Sequence, residues 1–312
     1  MGSQSAEHKI PVIDFTKKNL KPGTDEWVLA CKEVRNGFEE YGCFEAVYDK
    51  IPVDLHNSVF AAAESLFDLP LETKMQKTSE RPYHSYYGQF SVVPLYESLG
   101  VDNPTTLQGS RKFTNLMWPA GNENFRETTQ SMSKLLVELY ELATRMVFDS
   151  YGVQRLHGSN MALTSYLLRF FKYRTRQPNE TDVGLQCHKD RTFMSIVNQH
   201  QIEGLQVKSK DGQWIDVKPS ASSFLIIAGD IVGAWSNDRV RPCEHQVIMK
   251  ENKTRYSIGL FAFINGVIDV PEDLVDEKYP LKYKPIDHFG WLRFQEQRKA
   301  PYPIKVFSAI SE

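Results

Sequence analysis

The sequence predicts an α+β protein, helical in its first half and built on a jelly roll or β-sandwich in its second. Three observations carry that expectation. Residues 1 to about 160 hold long segments with apolar residues at helical spacing. From about 161 to 270 the texture changes to short β-branched or aromatic runs, separated by Gly, Asn, Asp or Pro. No linker-like composition marks the change, so residues 1–312 read as a single domain, with a closing helix and tail over 271–312.

Each element has its own signal. "IPVIDF" (10–15) reads as a short strand. In "DEWVLACKEVRNGFEEYG" (25–42), Trp27, Ala30, Cys31, Val34 and Phe38 fall on one helical face, and Gly42 is a fitting stop. "PVDLHNSVFAAAESLFDLP" (52–70) predicts a second helix, with Pro52 near its start and Pro70 just past its end. The third, 125–152, is long and closes at Gly152. Between them "RPYHSYYGQF" (81–90) is irregular and aromatic. Strands are expected over 162–173, 191–199, 204–209, 213–219, 223–230, 244–250 and 255–264, and the spacing over 283–299 is helical again.

The bulk properties exclude several classes of function. With 41% hydrophobic residues the chain can bury a large core. A net charge of -2, with both signs mixed along the chain, gives no electrostatic reason to bind nucleic acid or an anionic membrane. No basic cluster marks an acidic substrate. The four cysteines, Cys31, Cys43, Cys187 and Cys243, form no C-x-x-C, and the start "MGSQSAEHKIPVIDF" lacks an apolar run suited to secretion. Ala6 breaks the acylation pattern that Met-Gly opens. A monomeric, cytoplasmic protein acting on a small molecule is the expectation.

The chemistry centres on "CHKD" (187–190). On an extended strand, residues two apart point to one face, so His188 and Asp190 aim together while Cys187 and Lys189 aim away. A facial iron site needs one more histidine, and His200, His245 and His288 lie downstream. His245, in "RPCEHQVIM", begins an expected strand far enough on for the chain to cross a jelly roll and return. A zinc site is the rival, because a cysteine stands near each of His188 and His245, but Cys187 cannot share a strand face with His188. Next comes "RYS": Arg255 and Ser257 share a face among Ile258, Leu260, Phe261 and Phe263. An arginine among apolar residues needs an anionic partner, and a bound dicarboxylate would supply one.

His188-x-Asp190, then His245, then Arg255-x-Ser257 resembles the signature of the plant 2-oxoglutarate/Fe(II)-dependent dioxygenases. "GFEEYGCFEAV", "WSNDRVRPCEHQV" and "RYSIGLF" extend the resemblance over nearly the whole chain. "LRFFKYR" and "DHFGWLRF" are most similar to the branch of the glucosinolate side-chain and auxin-oxidising dioxygenases. The resemblance implies a double-stranded β-helix core with helices packed around it. It implies Fe(II) on His188, Asp190 and His245, with 2-oxoglutarate as co-substrate anchored by Arg255 and Ser257, O2 as oxidant, and ascorbate as a support. Many relatives carry Asn-Tyr-Tyr-Pro-Pro upstream of the metal motif. Here Phe171 stands at the Asn position and Arg174-Thr175 at the prolines, leaving only Tyr173, which the resemblance makes a hydrogen-bond donor to the oxo acid.

Phe193, Trp235, Phe261 and Phe263 flank the motif residues and are expected in the substrate pocket. The implied activity is oxidation, by default hydroxylation, of a small plant specialised metabolite with release of succinate and CO2. Auxin or gibberellin oxidation is the alternative within enzymes. A binding protein on the same scaffold is the alternative outside them.

Overall fold

The computed structural model describes residues 9–298 and 303–308. The first eight residues, where the acylation pattern was read, lie outside it, as do half of the tail from 301 on and the last residue of the 283–299 segment. In chain order the first half holds β1 (Val12–Asp14), α1 (Asp25–Glu40), β2 (Cys43–Val47), α2 (Val53–Phe67), α3 (Leu71–Met75), β3 (Tyr96–Asp102), α4 (Leu107–Met117), α5 (Glu123–Ser150) and α6 (His157–Leu163). The second half holds β4 (Thr164–Tyr173), β5 (Val183–His188), β6 (Met194–Gln199), β7 (Leu205–Lys208), β8 (Trp214–Asp216), β9 (Ser223–Ala228), α7 (Asp230–Trp235), β10 (His245–Ile248) and β11 (Arg255–Ile264). A small hairpin-like pair, β12 (Val267–Ile268) and β13 (Ile286–Asp287), leads into α8 (His288–Glu296) and α9 (Ile304–Ser308).

Strands β4 to β11 build a double-stranded β-helix of two facing sheets. The longer sheet runs β1-β2-β9-β6-β11-β4-β3 and the shorter β5-β10-β7-β8. Both faces of the longer sheet are covered, so its strands read as continuous apolar runs rather than alternating ones. On β4 and β11 the alternation is instead one of destination. Leu168, Phe170, Ile258, Leu260 and Ala262 join the core shared with α2 and α5. Arg169, Phe171, Tyr173, Arg255, Ser257 and Phe261 face the space between the sheets.

The helical layer follows local rules. Thr24 caps α1 by accepting the Trp27 amide at 3.2 Å, and Asp25 and Glu26 sit in its first turn, where the helix dipole favours them. The predicted face of Trp27, Ala30, Cys31, Val34 and Phe38 is buried. The indole of Trp27 donates to Asp149 at 2.9 Å, joining the start of α1 to the end of α5. Asn122 caps α5.

Several elements lie beyond what the sequence predicts, among them β2, β3, β5, α4 and α7. β2 follows Gly42 without a break and has no clean alternation of buried and open residues. β3 carries Gly100 and two carboxylates among its seven residues. α4 buries Ser110 and Thr114 beside Phe113 and Met117, so its inner face does not read as apolar. No helix among the described residues is long and apolar enough to cross a membrane.

Gly42 makes the α1–β2 junction possible. Its φ is +73°, and a Cβ there would lie 2.4 Å from the Arg241 carbonyl oxygen and 2.9 Å from the Cys243 backbone. Gly42→Ala therefore combines left-handed strain with a clash against immobile backbone. We expect a loss of about 2–4 kcal/mol in urea unfolding; a loss below roughly 1 kcal/mol would show that the junction can shift.

Candidate active site

His188, Asp190 and His245 converge at one end of the β-helix. Strands β5 and β10 pair antiparallel with His245 opposite His188, which sets the two imidazoles side by side with centroids 4.2 Å apart. Asp190 is not on the strand: β5 ends at His188, and the carboxylate arrives from the loop that follows. The expectation of a shared strand face is thus corrected in its cause, although the two side chains do meet. Asp190 Oδ1 lies 3.8 Å from His188 Nε2 and 3.7 Å from His245 Nε2. Two donors closer than about 4.2 Å, twice a typical metal–nitrogen bond, can share one ion.

The surroundings leave the Nε2 atoms free for a metal. His188 Nδ1 donates to the Gln186 carbonyl at 2.8 Å, and His245 Nδ1 to the Cys243 carbonyl at 3.1 Å. A histidine that spends its Nδ1 proton on a carbonyl presents the Nε2 lone pair. Burial and the His245 ring push the His188 imidazole down to about 4, so it is a neutral donor at neutral pH. Asp190 Oδ2 is buried and has no hydrogen-bond partner, an arrangement that suits a bound cation. Two imidazoles and one carboxylate, grouped on one side, fit the facial donor set of a non-haem iron(II) site. Neither Cys187, which is exposed, nor Cys243, which is buried, joins the group. The zinc alternative therefore lacks its thiolates.

The loop carrying Asp190 is held from two sides. The Asp230 amide, at the start of α7, donates to the Asp190 carbonyl at 2.8 Å, and the Ile231 amide to that of Thr192 at 3.2 Å. From α8, His288 Nε2 donates to the Arg191 carbonyl at 2.8 Å while its Nδ1 accepts the Ile264 amide at 3.0 Å. His288 is thus no metal ligand. It is a fully buried buttress that ties the loop to β11, and burial pushes its imidazole down to about 4. His200 also stands elsewhere, stacked on Phe60.

Arg255 is 1% exposed and has no carboxylate partner among the described residues. Its Nη2 donates to Gln199 Oε1 at 2.8 Å, and its Nη1 reaches Ser257 Oγ at 3.4 Å. Its guanidinium lies 4.9 Å from the centre of the Tyr173 ring, and its Nε is buried without a partner. Gln199 is fixed in turn by the Leu205 amide and the Val217 carbonyl. Sequence reasoning missed Gln199; its place at the end of a strand read as core gave no signal. A buried guanidinium stripped of water costs several kcal/mol unless an anion meets it, so this corner suits a carboxylate.

Metal donors and guanidinium line one cavity of about 330 Å³ between the sheets. Phe261 and Phe263 line it, as expected, together with Tyr173 and Ser257. Phe193 and Trp235 do not. Phe193 packs in the main core against Phe148 and Trp235, whose ring also stacks near Phe148, so the proximity to motif residues in sequence misled. The cavity also gathers residues no motif announced: Tyr83, Tyr87, Arg169 and Arg191. Two arginines from separate segments thus reach a space where the sequence showed no basic cluster.

Two measurements follow. Between pH about 6.5 and 4 the unfolded chain protonates the residue-288 imidazole while the folded one keeps it neutral. The depressed pKa therefore contributes stability above 6.5 that is lost as the pH falls toward 4, up to about 3 kcal/mol. His288→Gln should be less stable at pH 7 and show a shallower loss by pH 5 in urea titrations; an unchanged slope would contradict a buried neutral His288. Cys187→Ser should leave metal affinity within about twofold by chelator competition, since this side chain is outside the donor group. A large drop would revive the thiolate.

Two family models match the chain. That of the 2OG-Fe(II) oxygenase superfamily covers residues 163–264, and the N-terminal model of the non-haem dioxygenase in morphine synthesis covers 10–114. AOP1.2 of Arabidopsis thaliana, described as a probable 2-oxoglutarate-dependent dioxygenase, is 42% identical over 317 residues, spanning 98% of each protein. Among solved structures, the rice dioxygenase for auxin oxidation matches with a TM-score of 0.82 at 24% identity, over 97% of this chain and 100% of that one. The dioxygenase for auxin oxidation 1 of Arabidopsis thaliana, in a 2-oxoglutarate complex, gives 0.79 at 24%, over 87% and 100%. These two likenesses are of fold. The family models and an identity that runs nearly end to end place this chain in the 2OG-Fe(II) oxygenase superfamily, as a 2-oxoglutarate-dependent dioxygenase.

Proposed function

We propose that His188, Asp190 and His245 hold Fe(II), that Arg255 and Ser257 anchor the far carboxylate of 2-oxoglutarate with Tyr173 beside it, and that the enzyme hydroxylates a small plant specialised metabolite. The observation that carries this reading is the guanidinium of Arg255, buried without a carboxylate partner among the described residues in the same cavity as the two histidines and Asp190. Iron and 2-oxoglutarate, when bound, supply the oxidation of a substrate C–H to C–OH, with O2 consumed and succinate and CO2 released. The protein's own contribution is positional. Backbone carbonyls orient both imidazoles, α7 and α8 fix the Asp190 loop, and Gln199 with Tyr173 holds the Arg255 fork in place. Arg255 and Asp190 are buried, so their charges act at low dielectric. We further read the whole chain as one catalytic unit, monomeric and cytoplasmic, with ascorbate as a reductant that sustains activity.

The test is succinate formation by the purified protein with Fe(II), ascorbate and 2-oxoglutarate, with and without fractionated plant metabolites. Iron-dependent succinate stimulated by a fraction is expected. Stimulation by auxin or a gibberellin instead would select hormone oxidation. An absent Fe(II)–oxo-acid charge-transfer band under anaerobic titration would leave only a binding protein.

The two halves of the site are separable by mutation. His188→Ala and Asp190→Ala should each remove turnover to below about a thousandth of wild type, with loss of metal by chelator competition. Arg255→Ala should raise the 2-oxoglutarate KM by roughly a hundredfold or more while metal affinity stays within about threefold. Equal losses of both would make Arg255 a structural residue.

A further inference from the structure

We propose that the substrate is itself a small organic anion, a carboxylate on an apolar body, and that Arg191 with Arg169 receives its charge. The argument deepens the oxygenase reading and rests on it for what fills the metal and oxo-acid positions.

The charges of the cavity set the question. The two positive charges of the iron and that of Arg255 are matched by Asp190 and the two carboxylates of the oxo acid. Of the other cations that line the cavity, Lys189 pairs with Glu244 at 3.7 Å; Arg169 and Arg191 remain, and neither has a carboxylate partner among the described residues. Arg169 is 6% exposed. Its Nη1 donates to Ser98 Oγ at 2.5 Å, and its Nη2 to the carbonyls of Tyr83 and, at 3.2 Å, Ser85. These are neutral acceptors. They hold the guanidinium in position without offsetting its charge, so a cost remains that an anion would relieve.

Tyr83 joins the two arginines. Its carbonyl accepts from Arg169, its phenol oxygen accepts from Arg191 Nη1, and the Arg191 guanidinium lies 5.0 Å over its ring. It does this from a left-handed backbone, φ +65°, that a bulky aromatic residue rarely adopts. Strain of that kind persists where the surroundings fix it, and here they fix a pair of cations at the cavity wall. Arg169 stands opposite Gly259 on β11 and Gly100 on β3. The space that a Cβ would fill at these glycines is taken by Phe261 and Leu167, two residues of the cavity wall.

The remaining wall is apolar and aromatic: Tyr87, Leu167, Phe261 and Phe263. A ligand that satisfies both parts has a carboxylate at one end and a flat or branched hydrocarbon body that reaches toward His188 and His245. Arg191 lines the same cavity as His188, Asp190 and His245, so an anion held there places the adjoining carbons near the metal donors.

The experiment uses the full-length protein loaded anaerobically with Fe(II) and 2-oxoglutarate. The Fe(II)–oxo-acid charge-transfer band confirms loading in every sample. Cinnamate and 3-phenylpropanoate are titrated against their amides, with binding read by calorimetry. The acids should bind roughly ten- to a hundredfold more tightly than the amides, the range of a charge-assisted pair. Arg191→Gln should bring that preference within about threefold with the band intact, and Arg191→Lys should restore part of it. Equal binding of acid and amide by wild type overturns the proposal without any variant. So does failure of both acids to bind at millimolar concentration, loss of the band on adding acid, which would place the acid at Arg255, or an acid preference that survives Arg191→Gln. Absence of the band from the wild-type protein before any acid is added is a different failure, that of the oxygenase reading.

Discussion

The antiparallel pairing of β5 with β10 is the constraint on which the site depends. It brings His188 and His245, far apart in sequence, to opposite positions on neighbouring strands. A slip of one residue in that register would turn every side chain of β10 to the other face. His245 would leave the cavity, and Val247, which lines it, would leave too. The register is held by β7 on the far side of β10, where His245 lies opposite Val207 and Val247 opposite Leu205. Burial of those apolar residues between the sheets, at about 25 cal/mol per Å² removed from water, is therefore also what aligns the metal donors.

Once the register is set, the same closed space that aligns the ligands raises the cost of any charge left unmatched inside it. Arg255, Arg169 and Asp190 are all less than a tenth exposed. In such surroundings the two guanidinium groups are positioned by neutral groups, backbone carbonyls, an amide or a hydroxyl, rather than by an opposite charge from the protein, and Asp190 Oδ2 has no hydrogen-bond partner. That choice is informative. A salt bridge inside the protein would have stabilised the fold and at the same time blocked a ligand. Neutral acceptors orient a guanidinium while leaving its charge available. The geometry of the free protein is thus partly balanced by molecules that are not part of the chain.

Much of this was legible from residues alone, for a physical reason. Metal donors and the Arg255 corner lie on short segments where the spacing of residues along a strand translates directly into direction. His188 and Asp190 are the instructive partial case: the motif was right while the strand geometry behind it was not, because the chain leaves β5 before Asp190. Phe193 and Trp235 failed for the converse reason. Nearness in sequence to a ligand says nothing about which side of a sheet a residue faces, and the helical layer claimed both. Arg169, Arg191, Tyr83 and Gln199 carried no local signal, since their meaning comes from segments that only the tertiary fold brings together. The unpredicted β2, β3 and α4 share a simpler cause, small or polar residues on buried faces.

The C-terminal helix shows how far from the motif the site extends. α8 contributes no side chain to the cavity, yet its first residue, His288, spans the gap between β11 and the Asp190 loop with one hydrogen bond from each ring nitrogen. Only the neutral imidazole can do this, because Nδ1 must accept while Nε2 donates. A second proton would turn Nδ1 into a donor facing the Ile264 amide, leaving two donors opposed in a buried space. The bond to the Arg191 carbonyl therefore depends on the same burial that keeps the ring neutral. Since that carbonyl lies between Asp190 and the residues that follow it, the orientation of the carboxylate on one side and of the Arg191 side chain on the other is coupled to the docking of a helix a hundred residues downstream. The metal-donor loop and the cationic wall of the cavity are, in this fold, two ends of a single clamped segment.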